Sequence, residues 1–365
     1  MRYTSIVSAA ALAATTFAQA TPSLVYQFEN AFSGVGYVNI ENIAVRDNGK
    51  LLLNTVTGAI MVELDPKNPE PVIVANLTNA IGNGQPGSLT GIAETCDDVY
   101  TVAAGNFAFG PQVPNGVAGI PGSNSVWNVD LSGKEPKNNL VTAIPEADTL
   151  NGVTAIPGGN KDLVLIADSG LGAVWAVNTK TGKYEIVIQN DLFLPGNTSN
   201  FGINGVQVQG PYLYFTNSAQ HTFGAVPIDK NTGKATGEIT VFATFPEDLG
   251  PDGFDLKQKQ GGAYIAAQPD SVYMVPRDGS LNLVAGGADD ETLLGPTSTA
   301  FGKDGCTLYI VTGGEGGGPN GPQSGQVFSL DTCDGSEDAS EEDNDSEDSS
   351  QWGKWAKSRA MKWHA

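Results

Sequence analysis

Glu41, Asn151, Asn204 and Asp252 are the residues of this chain whose types and spacing best suit chemistry. All four offer oxygen. Two carboxylates neutralise a divalent ion, and two amide carbonyls extend its shell. The set contains no thiolate or imidazole, so it suits a hard cation, Ca2+ first, with Mg2+ or Mn2+ as alternatives. Without a cation, two crowded carboxylates repel, and one is expected to hold a proton. Each residue opens a short apolar segment: "ENIAVRDNGKLLLNT", "NGVTAIPGGNKDLVLIADS", "NGVQVQGPYLYFTNS" and "DGFDLKQKQGGAYIAA". A competing explanation of the Asn-Gly and Asp-Gly pairs is turn chemistry, because these residues tolerate special dihedrals. Glu41 is not a turn former, and a shared register at four places weighs toward a metal site.

The elements that must position these side chains are short strands. Long helical periodicity is absent, and alternating segments recur between clusters of Gly, Pro, Asn and Asp, as in an all-β protein. Two further segments, "TGIAETCDDVYTVAA" from Thr90 and "TSTAFGKDGCTLYIVTG" from Thr297, complete a series of six. Successive starts lie 49, 61, 53, 48 and 45 residues apart. Each unit reads as a strand, a turn and a second strand, with a third such as "GAVWAVNTKTG" and often a fourth such as "YEIVIQN". Four strands per roughly 40–50 residues is the spacing of a propeller blade. The expected fold is a six-bladed β-propeller over residues 21–333; a β-sandwich does not explain the common register. The last unit lacks a fourth strand, and "SLVYQFEN" near the N-terminus is an orphan that can supply it. Such closure removes an exposed edge. The first strands then line a central channel, and the six starting residues converge at one end of it.

Three cysteines remain to be placed. Cys306 opens the second strand of the last unit and Cys333 follows its third, so a Cys306–Cys333 bridge is expected at one end of antiparallel neighbours. Spacing alone leaves other pairings open. Cys96 is then expected to be a free, buried small residue.

The ends and the charge bound the function classes. Residues 1–20 read as a secretory signal: Arg2, an Ala-rich run and Ala18-Gln19-Ala20. That run is too short to span a bilayer, and no later stretch is longer. A secreted protein, or one in the lumen of the secretory pathway, is implied. Asn76 and Asn197 open glycosylation sequons there, and Asn344 opens a third within an acidic run. The net charge is −21, which disfavours nucleic acid and anionic membranes. Residues 334–365 hold nine acidic and four basic residues, so the rest of the chain is acidic in its own right. The stretch 334–350 is expected to be disordered. It leads to "QWGKWAKSRAMKWHA", which combines three tryptophans with basic residues and could dock on an acidic surface or a membrane.

The pattern "ENIAVRDNG", "NGV", "NGV" and "PDGFDL", in that order, resembles the senescence-marker-protein, gluconolactonase and luciferin-regenerating-enzyme family of six-bladed propellers. The resemblance implies an axial divalent metal held by Glu41, Asn204 and Asp252, with Asn151 as ligand or substrate-orienting amide. It also implies Asp252 as the base that activates water in a lactonase. Two departures stand out. The family's early "EGP" is here "IENIA", and "TGIAETCDD" lacks the arginine that grips a hydroxylated acid. The segments "IENIAVRDNGKLLL" and "YLYFTNSAQHTFGAVPIDKNTGKATG" look closer to secreted fungal members, some of which resemble hetero-Diels-Alderases.

Further candidates surround the expected site. The second-to-third-strand loops open on the face of the ring. Residues 105–124, with Phe107 and Phe109, form either a lid over an apolar ligand or a passive insertion. His221, in the corresponding loop of the fourth unit, is a candidate acid or base; a solvated loop histidine is the plainer reading. Asp168 is expected to cap a turn, and Glu315 to lie in a flexible spacer. No nucleophile elbow, zinc-helix motif or phosphate loop is present. The leading expectation is a secreted Ca2+-dependent lactone or ester hydrolase acting on a small molecule. The alternatives are a pericyclase of the hetero-Diels-Alderase kind, using the same pocket for an apolar substrate, and a non-catalytic binding propeller.

Overall fold

The structure is a computed structural model, and it describes residues 21–29, 37–78, 87–109, 112–197, 199–257, 262–288, 290–318 and 321–333. The leader (1–20), the tail (334–365) with its third sequon, and the second residue of the Asn197 sequon lie outside the described residues.

Six four-stranded antiparallel sheets follow one another around an axis. The first blade is Ile40–Val45, Leu51–Thr55, Ile60–Asp65 and Asn68–Asn76. Inner strands of the next four are Ser88–Cys96, Leu150–Ala155, Ile203–Gln209 and Gly250–Lys257. The last blade runs Pro296–Phe301, Thr307–Thr312 and Gln326–Asp331, and its outermost strand is the N-terminal Ser23–Gln27. That strand pairs antiparallel with Gln326–Asp331, so the ring is closed by joining the two ends of the propeller.

Strand burial explains why these sequences stack. The second strands are deeply buried, Leu163–Asp168 at every position, because blades cover both of their faces. The outermost strands are largely exposed or half-buried, as Tyr184–Gln189 is. The core is accordingly six apolar seams between neighbouring blades. Phe193, Phe215 and Ile203 pack between blades 3 and 4, and Tyr214, Phe223 and Phe254 between blades 4 and 5.

Cys306 and Cys333 are disulfide-bonded, with Cα atoms 5.1 Å apart. Lys257 of blade 5 donates to the Thr332 carbonyl beside them at 3.0 Å. Cys96 corrects an expectation: it is exposed. It ends the inner strand of blade 2 at the Asp97-Asp98 turn, beyond the seam that was expected to cover it.

Candidate axial site

Every inner strand is irregular at the same place. Its ladder with the second strand slips between Ile40 and Asn42, Leu89 and Ile92, Leu150 and Val153, Ile203 and Val206, Pro251 and Phe254, and Pro296 and Ser298. The slipped positions are Glu41, Thr90-Gly91, Asn151-Gly152, Asn204-Gly205, Asp252-Gly253 and Thr297. A β-bulge re-aims a side chain, and six in register turn six polar residues toward the axis.

The glycines are not there for turns. None of Gly91, Gly152, Gly205 and Gly253 has a positive φ. Instead, neighbouring inner strands come too close for a side chain. A Cβ on Gly152 would lie 2.5 Å from the Asn204 carbonyl oxygen, and one on Gly91 2.3 Å from that of Asn151. The Asn-Gly signal is therefore one of convergence at a narrow axis.

Hydroxyls tie successive blades just ahead of the ring. Thr297 donates to the Ile40 carbonyl and Thr90 to that of Leu150, each at 2.9 Å. Ser169 donates to Ile203 O at 2.6 Å, and Ser218 to Pro251 O at 2.8 Å. Each acceptor immediately precedes a ring residue. Because the two serine protons are committed, their oxygens accept from the ring amides: Asn151 Nδ2 at 3.2 Å from Ser169 Oγ, and Asn204 Nδ2 at 2.9 Å from Ser218 Oγ. Among the described residues neither amide Oδ1 takes a hydrogen bond, so both are left for the channel.

The carboxylates complete the set. Asp252 is 6 % exposed and accepts from Gln268 Nε2 at 2.8 Å. Burial pushes its carboxyl up to about 7, against hydrogen bonds from Gln268, the Gly253 N–H and the Asn204 amide. Glu41 makes no hydrogen bond among the described residues. Its carboxyl is held well above the ordinary range, by burial first and by nearby Asp252 second. A pair of this kind favours a proton or a cation between its members. No three carboxylate, imidazole or thiol groups converge among the described residues, so a metal here would depend on the amide oxygens. Below the ring the channel widens into a cavity of about 350 Å³ toward the opposite face, where Gln207, Asp255 and Lys303 line it.

Within 105–124, Phe107–Phe109 and Val117–Gly119 pair antiparallel as a small two-stranded sheet on the ring face. It crosses toward the connection ahead of blade 4. Asn115 Nδ2 donates to Asn200 Oδ1 at 3.1 Å, and Asn200 Nδ2 to Val117 O at 2.7 Å. Phe107 and Phe201 lie with ring centroids 6.3 Å apart. The Phe109 side chain and those of the Glu315 loop lie outside the described residues.

The other candidates have separate places. Ring nitrogen Nδ1 of His221 is 2.8 Å from the Leu249 carbonyl, and no hydrogen bond joins it to the ring. Asp168 is fully buried and accepts from Asp148 N, Thr149 N, Leu171 N and Trp175 Nε1. It holds a corner, as expected. Asn76 and Asn197 are exposed. Ser169, Ser218 and Gln268 were missed from sequence. The signal that could have found the serines is their shared place at the end of "IADS" and "FTNS".

No family model matches the sequence. The chain is 30% identical over 307 residues to a protein of Phoma sp named "Putative hetero-Diels-Alderase", covering 74% of this chain and 82% of that one. A second relative of that name, asR5 of Sarocladium schorii, is 29% identical over 314 residues, covering 74% of each chain. In fold, the chain is similar to the calcium-binding protein regucalcin of Agrobacterium tumefaciens. The TM-score is 0.59 at 17% identity, with 87% of this chain and 95% of that one covered. A luciferin-regenerating enzyme gives 0.57 at 13% identity, covering 80% and 91%.

Proposed function

This chain belongs to the family of the hetero-Diels-Alderases, and we propose that it accelerates a [4+2] cycloaddition between an α,β-unsaturated carbonyl compound and an alkene at the axial ring. In that reaction one C–C and one C–O bond form, three π bonds become one, and no proton or electron is lost. No base is required. The protein contributes orientation, exclusion of water and polarisation of the carbonyl oxygen.

The observation that carries the reading is the ring's oxygen set, in which the Asn151 and Asn204 Oδ1 atoms and the Glu41 carboxyl take no hydrogen bond among the described residues. Asn151 and Asn204 have their amide nitrogens tied to serines, and Asp252 stands close enough to raise the proton affinity of Glu41. A substrate oxygen is repelled by such a set unless positive charge lies between them. The residues fit a divalent cation, Ca2+ before Mg2+ or Mn2+, held by Glu41, Asn151, Asn204 and Asp252. Bound there, it would supply Lewis-acid polarisation. Phe107 and Phe201 give the apolar reactants a wall. Export through the secretory pathway belongs to the same proposal, because the Cys306–Cys333 bridge suits an oxidising compartment.

A second reading, hydrolysis of a lactone or ester, is favoured by one observation. A buried Asp252 with a pKa of about 7 is tuned to take a proton from water at neutral pH. The test is incubation of purified protein with a 1-oxadiene and an alkene, alongside a lactone and ester panel. Enantiomeric excess in the cycloadduct supports the first reading. Racemic product at the uncatalysed rate, with turnover of a lactone abolished by Asp252→Asn, replaces it with the second.

A further inference from the structure

Charge is divided between the two faces of the disc. Every lysine and arginine among the described residues lies toward the face opposite the ring. They occupy the turns from first to second strand, as Arg46, Lys161 and Lys303 do, or from third to fourth, as Lys67, Lys180 and Arg277 do, or the far end of an inner strand. Acids of the same face neutralise several of them: Arg46 pairs with Glu63 and Asp98, Lys180 with Asp162, and Lys303 with Asp47. The described residues of the ring-face connections, from second to third strand and from each blade to the next, contain no lysine or arginine. They do contain exposed Glu146, Asp191, Glu247, Asp248 and Glu291. The greater part of the propeller's net negative charge therefore lies on the ring face.

We infer that this mouth selects its ligands by charge, admitting uncharged or cationic molecules and excluding carboxylates and phosphates. Where the ligand is the substrate of the cycloaddition, this rests on the function proposed above. Two independent features point the same way. An anion entering the mouth meets a field of one sign, and such fields reach several kT at clefts. Among the described residues no cationic side chain stands at the ring, so in the metal-free ring nothing replaces an anion's lost water, and an unpaired buried charge is costly. Sugar acids and phosphorylated compounds are thereby opposed at the mouth, and uncharged apolar reactants are favoured.

The test needs no substrate. Leu194, 39 % exposed on the ring face, is replaced in Leu194→Cys. Native Cys96, exposed on the opposite face near Lys180, is the internal reference. Pro145→Cys provides a second ring-face thiol should the first variant fold poorly. Modification rates are measured with cationic, anionic and neutral methanethiosulfonate reagents, the neutral one correcting for access. The expected cationic-to-anionic ratio at the ring-face thiol exceeds that at Cys96 by about tenfold or more, and collapses in high salt as screening requires. Equal ratios at the two faces overturn the inference, whatever the activity. A protein inactive in cycloaddition that keeps the cationic preference retains this inference and loses only the proposed reaction.

Discussion

Asp252→Asn is expected to make the metal-free protein more stable at alkaline pH. Burial holds the Asp252 carboxyl at about 7 against 3.8 for an ordinary one, and Glu41 beside it is also raised. Both values lie above those of the unfolded chain. The folded state therefore binds the extra protons at low pH, and stability is lost as pH rises from about 4 through about 7. At 1.36 kcal/mol per unit, a carboxyl lifted that far costs the folded state roughly 4 kcal/mol at pH 8. Asparagine keeps the shape and still accepts from Gln268 Nε2, now 2.8 Å from the carboxylate, while removing the charge. In chelator at pH 8 its Tm should exceed that of the wild type by about 5 °C or more, taking about 2 °C per kcal/mol for a domain of this size. Near pH 4 the two should coincide. Added Ca2+ should reverse the order, because a bound cation turns the charged pair from a liability into a ligand set. Thermal unfolding followed by circular dichroism, across pH and with or without Ca2+, reads all three. A wild type as stable as the variant at pH 8 in chelator would refute the account of a buried, mutually repelling pair.

Gly152→Ala should cost about 3 kcal/mol in denaturant unfolding, because its Cβ would press on the Asn204 carbonyl. Gly133→Ala, whose Cβ meets only ordinary contact at 3.6 Å, should be neutral or slightly stabilising by the same assay. Ser218→Ala releases the Asn204 amide and should lower kcat about tenfold while leaving KM within twofold; a fall in stability without a fall in kcat would make Ser218 purely structural. Cys306→Ser opens a link between residues 27 apart and should cost about 3–4 kcal/mol in unfolding free energy. Asn200→Ala removes both hydrogen bonds that anchor the small two-stranded sheet and should raise KM several-fold for an apolar substrate, with accelerated proteolysis near residue 115 as the structural readout.

The propeller was legible because six segments share one register, and the closing strand because the last unit was one strand short. The ring was legible for the same reason: equivalent starts of inner strands had to converge. Other features were hidden because they depend on distances between blades. Turn chemistry offered a local explanation for Asn151-Gly152 and Asn204-Gly205, whereas the cause is the approach of one inner strand to the next. Ser169 and Ser218 act through a carbonyl on the following blade, a contact no window of sequence contains. Gln268 reaches Asp252 from the end of the second strand of its own blade, sixteen residues on. Cys96 was expected inside as the small residue left unpaired by the Cys306–Cys333 bridge, but the seam stops before the turn it occupies. Even the division of charge is written in the sequence, and becomes visible only once each turn is assigned to a face.

The most direct test compares wild type with the Glu41→Gln, Asp252→Asn double variant in the cycloaddition of a 1-oxadiene with an alkene. Rate and enantiomeric excess are measured on proteins shown to be folded. The account predicts enantioenriched product from the wild type and only the slow racemic background from the double variant, because without the two carboxylates the ring would hold no cation to polarise the substrate oxygen. A folded double variant that keeps both rate and enantiomeric excess would contradict it and move the chemistry away from the axis.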